Sequence, residues 1–152
     1  MLDTEKYKID FDDKRNIFEI SLIKNNIEVC KCKMYTDPSK TTWTISSWYT
    51  LSDFNHQGFG KKTLEKTVWE MYKQFGIPKK IEYIWNGTNE YVYAWLSKNF
   101  DAINNCPIAV QKYANDDDWQ SHIYTLNKNK FLNYFGIKEI VENNKIEKAF
   151  ER

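Results

Sequence analysis

The sequence contains few of the residues that hold small folds together by cross-links or metal. It has 3 cysteines, 2 histidines, 5 glycines and 3 prolines among 152 residues. An odd cysteine count does not suit a disulfide framework, and a zinc site needs about four ligands at recognisable spacings. His56 and His122 lie in unrelated segments. We therefore expect buried or half-buried free thiols at Cys30, Cys32 and Cys106, and no bound metal.

Neither sign of charge is in excess. Lys and Arg number 22 against 21 Asp and Glu, which gives a formal net charge of +1. Binding to nucleic acid or to an anionic membrane depends on a basic surface, so neither is an expected partner. No apolar run approaches the ~20 residues that span a bilayer, and the first residues lack the apolar stretch of a secretory signal. The sequence therefore predicts a cytoplasmic protein.

Linker-like stretches rich in Pro, Gly or Ser are also absent, and the length fits one domain of ~150 residues. We expect a single domain over residues 1–152. Residues 127–152 are Lys-rich and amphipathic, which predicts a C-terminal helical extension of that domain. Aromatic residues are plentiful, with 6 Trp, 10 Tyr and 9 Phe. They suit a dense core or a stacking surface equally well.

The first fifty residues have the pattern of an antiparallel meander. Aromatic and β-branched residues from Ile17 to Ile23 stop at Lys24-Asn25-Asn26, and the residues that follow alternate between apolar and charged. This pattern predicts a β-hairpin. The run Thr42–Thr50 predicts a further strand, and Tyr7–Phe11 predicts a short strand at the edge of the sheet.

The pattern then changes to a helical period. Apolar residues at 64, 68, 71 and 75 predict an amphipathic helix that ends near Phe75, because Gly76 and Pro78 follow. Residues 81–85 read as a buried strand. Turn and capping residues at 86–89 then precede a second predicted helix, Glu90–Lys98.

Beyond Phe100, the segments 107–113 and 122–126 are strand-like. An acidic turn with Asp116, Asp117 and Asp118 joins them. The turn lacks the glycine and the distal Glu of a helix-loop-helix calcium site, so a solvated hairpin tip is the favoured interpretation.

The segment with the clearest chemistry is residues 55–62, Asn-His-Gln-Gly-Phe-Gly-Lys-Lys, directly before the first helix. Glycines allow a ligand to approach the backbone, and the first N–H groups of a helix attract phosphate. A P-loop would need Gly at 55 and Ser or Thr at 62, and a dinucleotide fingerprint would need Gly at 63. The sequence has Asn55, Lys62 and Thr63. A pyrophosphate loop of the form Q/R-x-x-G-x-G/A matches at all but its first residue.

In this context, residues 42–126 resemble the GNAT superfamily of acyl-CoA-dependent N-acyltransferases. The matching features are the strand end Trp48-Tyr49-Thr50, the glycine loop, Leu64 in the helix that follows, the strand at 81–85, and Ala94-Trp95-Leu96 before Asn99-Phe100.

The resemblance implies an α/β (α+β) fold with a mixed, mostly antiparallel sheet, a splayed strand pair and flanking helices. The family normally has two helices between its first two strands. Only about five residues separate Phe11 from Ile17, so we expect the N-terminal helices to be reduced.

The resemblance also implies an N-acetyltransferase. A primary amine on a small molecule or a protein would attack the thioester of acetyl-CoA directly, and the enzyme would position the reactants and stabilise the oxyanion without a metal. The backbone of Tyr49, Thr50 and Leu51 would bind the pantetheine arm. The remaining cofactor-binding residues would be Gln57, Gly58, Phe59, Gly60, Lys61 and Lys62 at the pyrophosphate, with Asn89 before the second helix. We accordingly expect Gly60→Val to block the pyrophosphate and leave most of the core intact.

The sequence departs from the family pattern at one catalytic position. Trp95 stands where the family has the tyrosine that protonates the departing thiolate, and an indole N–H cannot serve as a proton donor. Tyr91, one helical turn earlier, is a candidate substitute or else a packed aromatic residue. His56 is a general base or, preferably, a solvated loop residue.

Two further interpretations stay open. The first is a catalytically silent acyl-CoA-binding module with the GNAT fold, as Trp95 and the missing helices suggest. The second is a protein-interaction module whose tail, residues 138–150, docks a partner or forms a homodimer. If the protein is an enzyme, the acidic turn at 116–118 could attract a cationic acceptor.

Overall fold

A computed structural model describes residues 4–84, 90–105 and 123–138. In these ranges the chain forms one sheet of seven strands, three α-helices and a short 3₁₀ helix. In chain order the elements are β1 (Glu5–Asp12), β2 (Ile17–Lys24), β3 (Ile27–Thr36), β4 (Thr42–Thr50), the 3₁₀ helix (Ser52–Phe54), α1 (Phe59–Phe75), β5 (Lys80–Ile84), α2 (Glu90–Phe100), β6 (Ile103–Asn104), β7 (Ile123–Leu126) and α3 (Lys128–Tyr134).

The strand order across the sheet is β1-β2-β3-β4-β5-β7-β6. All paired strands are antiparallel except β4 and β5, which are parallel. The crossover between these two strands is α1, as a parallel connection requires. The predicted fold class, a mixed and mostly antiparallel sheet with flanking helices, is therefore confirmed.

The first three strands are joined by tight turns. Asn25 and Asn26 both have positive φ, 50° and 65°, which is the conformation that a two-residue hairpin needs. At the preceding turn the Asp12 carboxylate accepts hydrogen bonds from the amides of Lys14 and Arg15. β1 and β2 therefore follow each other directly, and the predicted loss of the N-terminal helices is confirmed.

Helix α1 covers one face of the sheet. Its buried side chains include Leu64, Val68 and Met71, which the helical period predicted. It ends at Phe75, where Gly76 has a φ of +78° and donates its N–H to the carbonyl of Tyr72. The core lies between this helix and the sheet. Its largest fully buried side chains include Trp43, Ile20, Leu22, Met34 and Ile45.

The C-terminal part of the described chain packs against α2. Helix α3 begins at the Asn127 side chain, which accepts a hydrogen bond from the Lys130 amide. The rings of Phe100 and Phe131 lie 4.9 Å apart and join the two helices. The start of the predicted extension at 127–152 is therefore helical, and β7 falls within the strand predicted at 122–126.

Several predicted features lie outside the described residues. They are the end of the strand predicted at 81–85, Asn89, Cys106, the strand at 107–113, the acidic turn at 116–118 and most of the tail at 138–150. Within the described ranges, no helix is long and apolar enough to cross a membrane.

Candidate functional site

Beyond Ile45, no described strand lies on the edge of β4 that faces away from β3, and we call this space the gap. The described pairing of β4 with β5 runs from Thr42 opposite Lys80 to Ile45 opposite Tyr83, whereas β4 continues beside β3 as far as Thr50. The register with β3 shifts by one residue at Ser46, which is a β-bulge. Bulges bend a strand and increase its twist, so β4 turns away from β5 at this point. The bulge and the end of the pairing at Ile45 agree with the predicted splayed strand pair as far as β5 is described, to Ile84.

The hydrogen-bond register shows which backbone groups of β4 face the gap. The amide of Leu51 donates to the carbonyl of Val29, so this is a hydrogen-bonded pair. Such pairs alternate along antiparallel strands, and Tyr49 opposite Lys31 is therefore another. It follows that the amides and carbonyls of Trp48 and Thr50 point away from β3 and into the gap.

This result changes the predicted set of strand residues. Thr50 offers its backbone to the gap, as expected. The backbones of Tyr49 and Leu51 do not face the gap, because Tyr49 is bonded to β3, and Leu51 donates to Val29 and accepts from Phe54. Their role in binding stays a prediction. Trp48, which was not in the predicted set, does present its backbone to the gap. The two-residue alternation of a strand could have identified it once one pair was known.

A cavity of about 390 Å³ lies where the gap meets the glycine loop, the start of α1 and the side of α2. Six of the thirteen lining residues are Trp, Tyr or Phe, and the others include polar loop residues and one lysine. The lining residues are Trp48, Tyr49, Thr50, Phe54, Asn55, His56, Gly58, Phe59, Gly60, Lys61, Tyr91, Val92 and Trp95. No carboxylate is among these described residues, so the cavity suits an anion better than a cation.

The N-terminus of α1 forms one wall of the cavity. Gly58 precedes the helix with a φ of +83°, a left-handed conformation that glycine adopts without strain. The first helical (i to i−4) hydrogen bond of α1 is donated by the Lys62 amide to the Gly58 carbonyl. The amides of Phe59, Gly60 and Lys61 therefore have no acceptor within the described part of the helix, and they carry the positive end of its dipole.

Trp48 and Gly60 fix this helix end against β4. The indole N–H of Trp48 donates to the Gly60 carbonyl at 2.9 Å. A Cβ at position 60 would lie 3.3 Å from the Thr50 Oγ1 and 3.5 Å from the Trp48 ring. Gly60 therefore permits close packing of α1 on β4. The added side chain of Gly60→Val would point at β4, so we expect a local effect on the packing of α1 in addition to any effect on the pyrophosphate.

The two lysines of the loop have different positions. The Lys61 side chain is exposed and lines the cavity, and its Nζ lies 5.7 Å from the centre of the Trp95 ring. The Lys62 Nζ forms an ion pair with Glu5 at 3.1 Å and lines a separate groove. Its amide is also bonded within α1. The Lys62 ammonium is thus held by Glu5 while Lys61 lies at the cavity, and the role of both residues at the pyrophosphate stays a prediction.

Three aromatic residues meet on the α2 side of the cavity. Tyr91 is 63% exposed, and its ring lies 5.5 Å from the imidazole of His56 in an edge-on arrangement. Trp95 is half-buried and packs against Trp48, with ring centres 5.5 Å apart. The structure thus brings His56, Tyr91 and Trp95 to one cavity. The contact of His56 with Tyr91 joins distant segments and leaves no local signal in the sequence.

The remaining predicted residues lie outside the cavity lining. Leu51 is 41% exposed, and the Gln57 side chain donates to the Asp53 carbonyl at 3.5 Å. The backbone amide of Gln57, directly before Gly58, has no acceptor among the described residues. Asn89 falls in the part of the chain that the structure does not describe.

The two described cysteines, Cys30 and Cys32, do not contribute a nucleophile to this site. Cys30 and Cys32 are buried free thiols, as predicted. Burial raises the pKa of each thiol, so both stay protonated at neutral pH. The Thr50 hydroxyl donates to the Cys30 Sγ at 3.4 Å. Among the described residues there is no group of three or more side chains suited to a metal ion.

Comparisons with known proteins give structural matches only. No family model matches the sequence, and no curated protein matches it significantly. An acetyltransferase of the GNAT family from Staphylococcus aureus is 14% identical with a TM-score of 0.54, covering 75% of this chain and 69% of that one. Ard1 from Thermoplasma volcanium is 14% identical with a TM-score of 0.52, covering 71% and 67%.

A third structure, PaiA N-acetyltransferase from Thermoplasma acidophilum in complex with coenzyme A, is 12% identical with a TM-score of 0.53, covering 74% of this chain and 61% of that one. These matches extend over about three quarters of the chain. Together with the strand order and the splayed pair, they show that the chain has the fold of the GNAT acetyltransferases.

Proposed function

We propose that the protein is an acyl-CoA-dependent N-acetyltransferase that transfers an acetyl group from acetyl-CoA to a primary amine. The observation that carries this proposal is the cavity at the splayed strands, which combines unpaired strand backbone with an open helix N-terminus. A coenzyme with an amide-bearing arm and a pyrophosphate needs both features.

The pyrophosphate end of the coenzyme is assigned to the start of α1. The amides of Gly58, Phe59, Gly60 and Lys61 are adjacent in the chain, and three of them are the open N–H groups of the helix. Such groups bind phosphate through hydrogen bonds and the helix dipole. The Lys61 ammonium adds a positive charge at the cavity. Because no described lining residue is acidic, nothing there opposes the anion.

The pantetheine arm is assigned to the edge of β4. Its two amide groups can pair with the backbone of Trp48 and Thr50, which the register directs into the gap. The arm would lie along this edge of β4, where no described strand pairs with it. Aromatic side chains on both sides, Tyr49 and Trp95 among them, would exclude water from the thioester.

The reaction requires no covalent enzyme intermediate. The neutral amine attacks the thioester carbonyl, a C–N bond forms, and the C–S bond breaks to release the CoA thiolate. The amine loses one proton to water, and the thiolate gains one from an acidic group. Tyr91 is the proposed donor, because its hydroxyl-bearing ring lines the cavity one helical turn from Trp95.

Tyr91→Phe tests this role. If the hydroxyl protonates the thiolate, we expect kcat to fall about 10²-fold or more, because general acid catalysis typically contributes 10²–10⁴. The affinity for acetyl-CoA should stay unchanged, since the ring is kept. The measurement is release of free CoA thiol during an amine screen that begins with polyamines and lysine peptides. Unchanged kcat in Tyr91→Phe would show that another group supplies the proton.

A catalytically silent acyl-CoA-binding module is the second candidate function. One observation favours it: the position expected to hold a tyrosine holds Trp95, whose ring packs on Trp48 and under Lys61. The same thiol-release assay separates the two functions. An enzyme releases CoA in proportion to acetylated amine, whereas a silent module binds acetyl-CoA and releases none with any acceptor.

A further inference from the structure

β1 is an exposed edge of the sheet. The strand Glu5–Asp12 pairs with β2 on one side, and no described strand lies on the other. An edge of this length presents a row of unpaired amides and carbonyls to solvent, and proteins usually guard such edges with charged residues. Here the charges have an order along the strand that suggests a partner.

The side chains on one face of β1 are Lys6, Lys8, Asp10 and Asp12. Along this face, two lysines are followed by two aspartates, with one charged residue at every second position of the strand. If two copies of β1 pair antiparallel about Ile9, Lys8 lies opposite Asp10 of the second copy and Lys6 lies opposite its Asp12. We propose that β1 is a homodimer interface in which two copies of the chain join edge to edge into one continuous sheet.

The other face of β1 is also complementary to itself. It carries Glu5, Tyr7, Ile9 and Phe11. The Glu5 carboxylate is paired with Lys62 within the chain, and Ile9 and Phe11 are 43% and 38% exposed. Pairing about Ile9 places Ile9 against its own copy and Phe11 beside Tyr7 of the second copy. Cross-strand pairs of aromatic and β-branched residues stabilise a sheet. A groove of about 350 Å³ between Tyr7 and α1 leaves room for the incoming ring.

Other registers are less favourable. A slip of one residue would place charged side chains opposite apolar ones and reverse the faces. A slip of two residues would centre the pairing on Lys8 or Asp10 and put like charges face to face, which destabilises a sheet. The charge order therefore selects the register about Ile9.

The charges needed for this interface are available. Lys8 and Asp10 contact each other weakly within the chain, at 3.9 Å, and both side chains are 64% exposed. Asp12 already forms an ion pair with Arg15 of its own chain, so Lys6 of the second copy would be a second cation beside the same carboxylate. We therefore expect the pair of Lys8 with Asp10 of the second copy, formed twice in each dimer, to contribute most of the charge complementarity.

The test uses Lys8→Glu and Asp10→Lys in the full chain. The wild type should sediment at twice the 18.3 kDa chain mass. Each single variant places like charges opposite each other twice per dimer, so the dimer Kd should rise about tenfold or more. The two single variants mixed together should form a heterodimer, because opposite charges then face each other at both pairs of positions 8 and 10. The double variant, Lys8→Glu with Asp10→Lys, should restore the homodimer.

Sedimentation velocity from micromolar to millimolar concentration measures these masses. A wild-type chain that is monomeric throughout would overturn the proposal, as would single variants that dimerise like the wild type through another surface. β1 and the cavity-lining β4 are separated by two strands in the sheet. Acetyl-CoA binding should therefore be unchanged in all variants, and the interface can fail without affecting the proposed function.

Discussion

Lys61→Glu is expected to abolish most of the affinity for acetyl-CoA. The Lys61 side chain is exposed at the cavity with its Nζ over the Trp95 ring, and its amide belongs to the open end of α1. The substitution exchanges a positive charge for a negative one beside the proposed pyrophosphate. An exposed charge pair is worth up to about 1 kcal/mol, and the reversal replaces an attraction with a repulsion, so Kd should rise about tenfold or more.

Lys62→Glu is the matched control. It changes the net charge by the same amount at the neighbouring residue, but the Lys62 side chain pairs with Glu5 and faces a different groove. Its acetyl-CoA affinity should stay within about threefold of wild type, because only screened, longer-range charge effects act there. Isothermal titration measures both. Equal losses in the two variants would contradict the placement of the anion at Lys61.

Gly60→Val is expected to destabilise the fold as well as weaken binding. The first atom of the new side chain would lie 3.3 Å from the Thr50 Oγ1 and close to the Trp48 ring. Overpacking of this kind costs about 1–3 kcal/mol, which lowers Tm by roughly 2–10 °C for a chain of this size. Acetyl-CoA affinity should fall too, because α1 must shift away from β4.

A double-mutant cycle with Thr50→Ala tests the cause of this effect. Removing the Thr50 hydroxyl and methyl makes room for the valine, so the double variant should lose less stability than the sum of the two single variants. Thermal and urea unfolding measure the free energies. If the losses simply add, the valine does not act through the contact with Thr50.

The fold could be predicted largely because local signals agreed. The Asn25-Asn26 turn, the helical period ending at Gly76 and the run Thr42–Thr50 each indicate one element, and each is observed where expected. The bulge at Ser46 was not predicted, since a register shift depends on how β4 meets β3. The splay at this point followed only from the resemblance to a known family.

The site was harder to predict because its contacts join distant segments. The glycine loop identified the start of α1, but the sequence could not show that Lys61 turns toward Trp95 while Lys62 turns toward Glu5. The side chains of adjacent helical residues point about 100° apart, so Lys61 and Lys62 do not point in the same direction. The choice of Trp48 over Tyr49 as a backbone ligand likewise depends on strand register, which a single sequence does not show.

Gly60 shows how one residue can fit two explanations. The sequence suggested a glycine kept small for a ligand, and the structure places β4 in the direction of its absent side chain. Gly58 has the positive φ that shapes the loop, and a Cβ there would meet nothing within 4 Å. The two glycines of one motif therefore serve different purposes, namely close helix packing and a left-handed turn.

The most direct test of the account is isothermal titration of the wild-type chain with acetyl-CoA, with CoA and ATP as comparisons. We expect micromolar binding of acetyl-CoA and CoA, and weaker binding of ATP. Only the CoA species have a pantetheine arm that can pair with the backbone of Trp48 and Thr50 as well as a pyrophosphate for the start of α1. Absence of binding by all three ligands would contradict the assignment of this cavity as an acyl-CoA site.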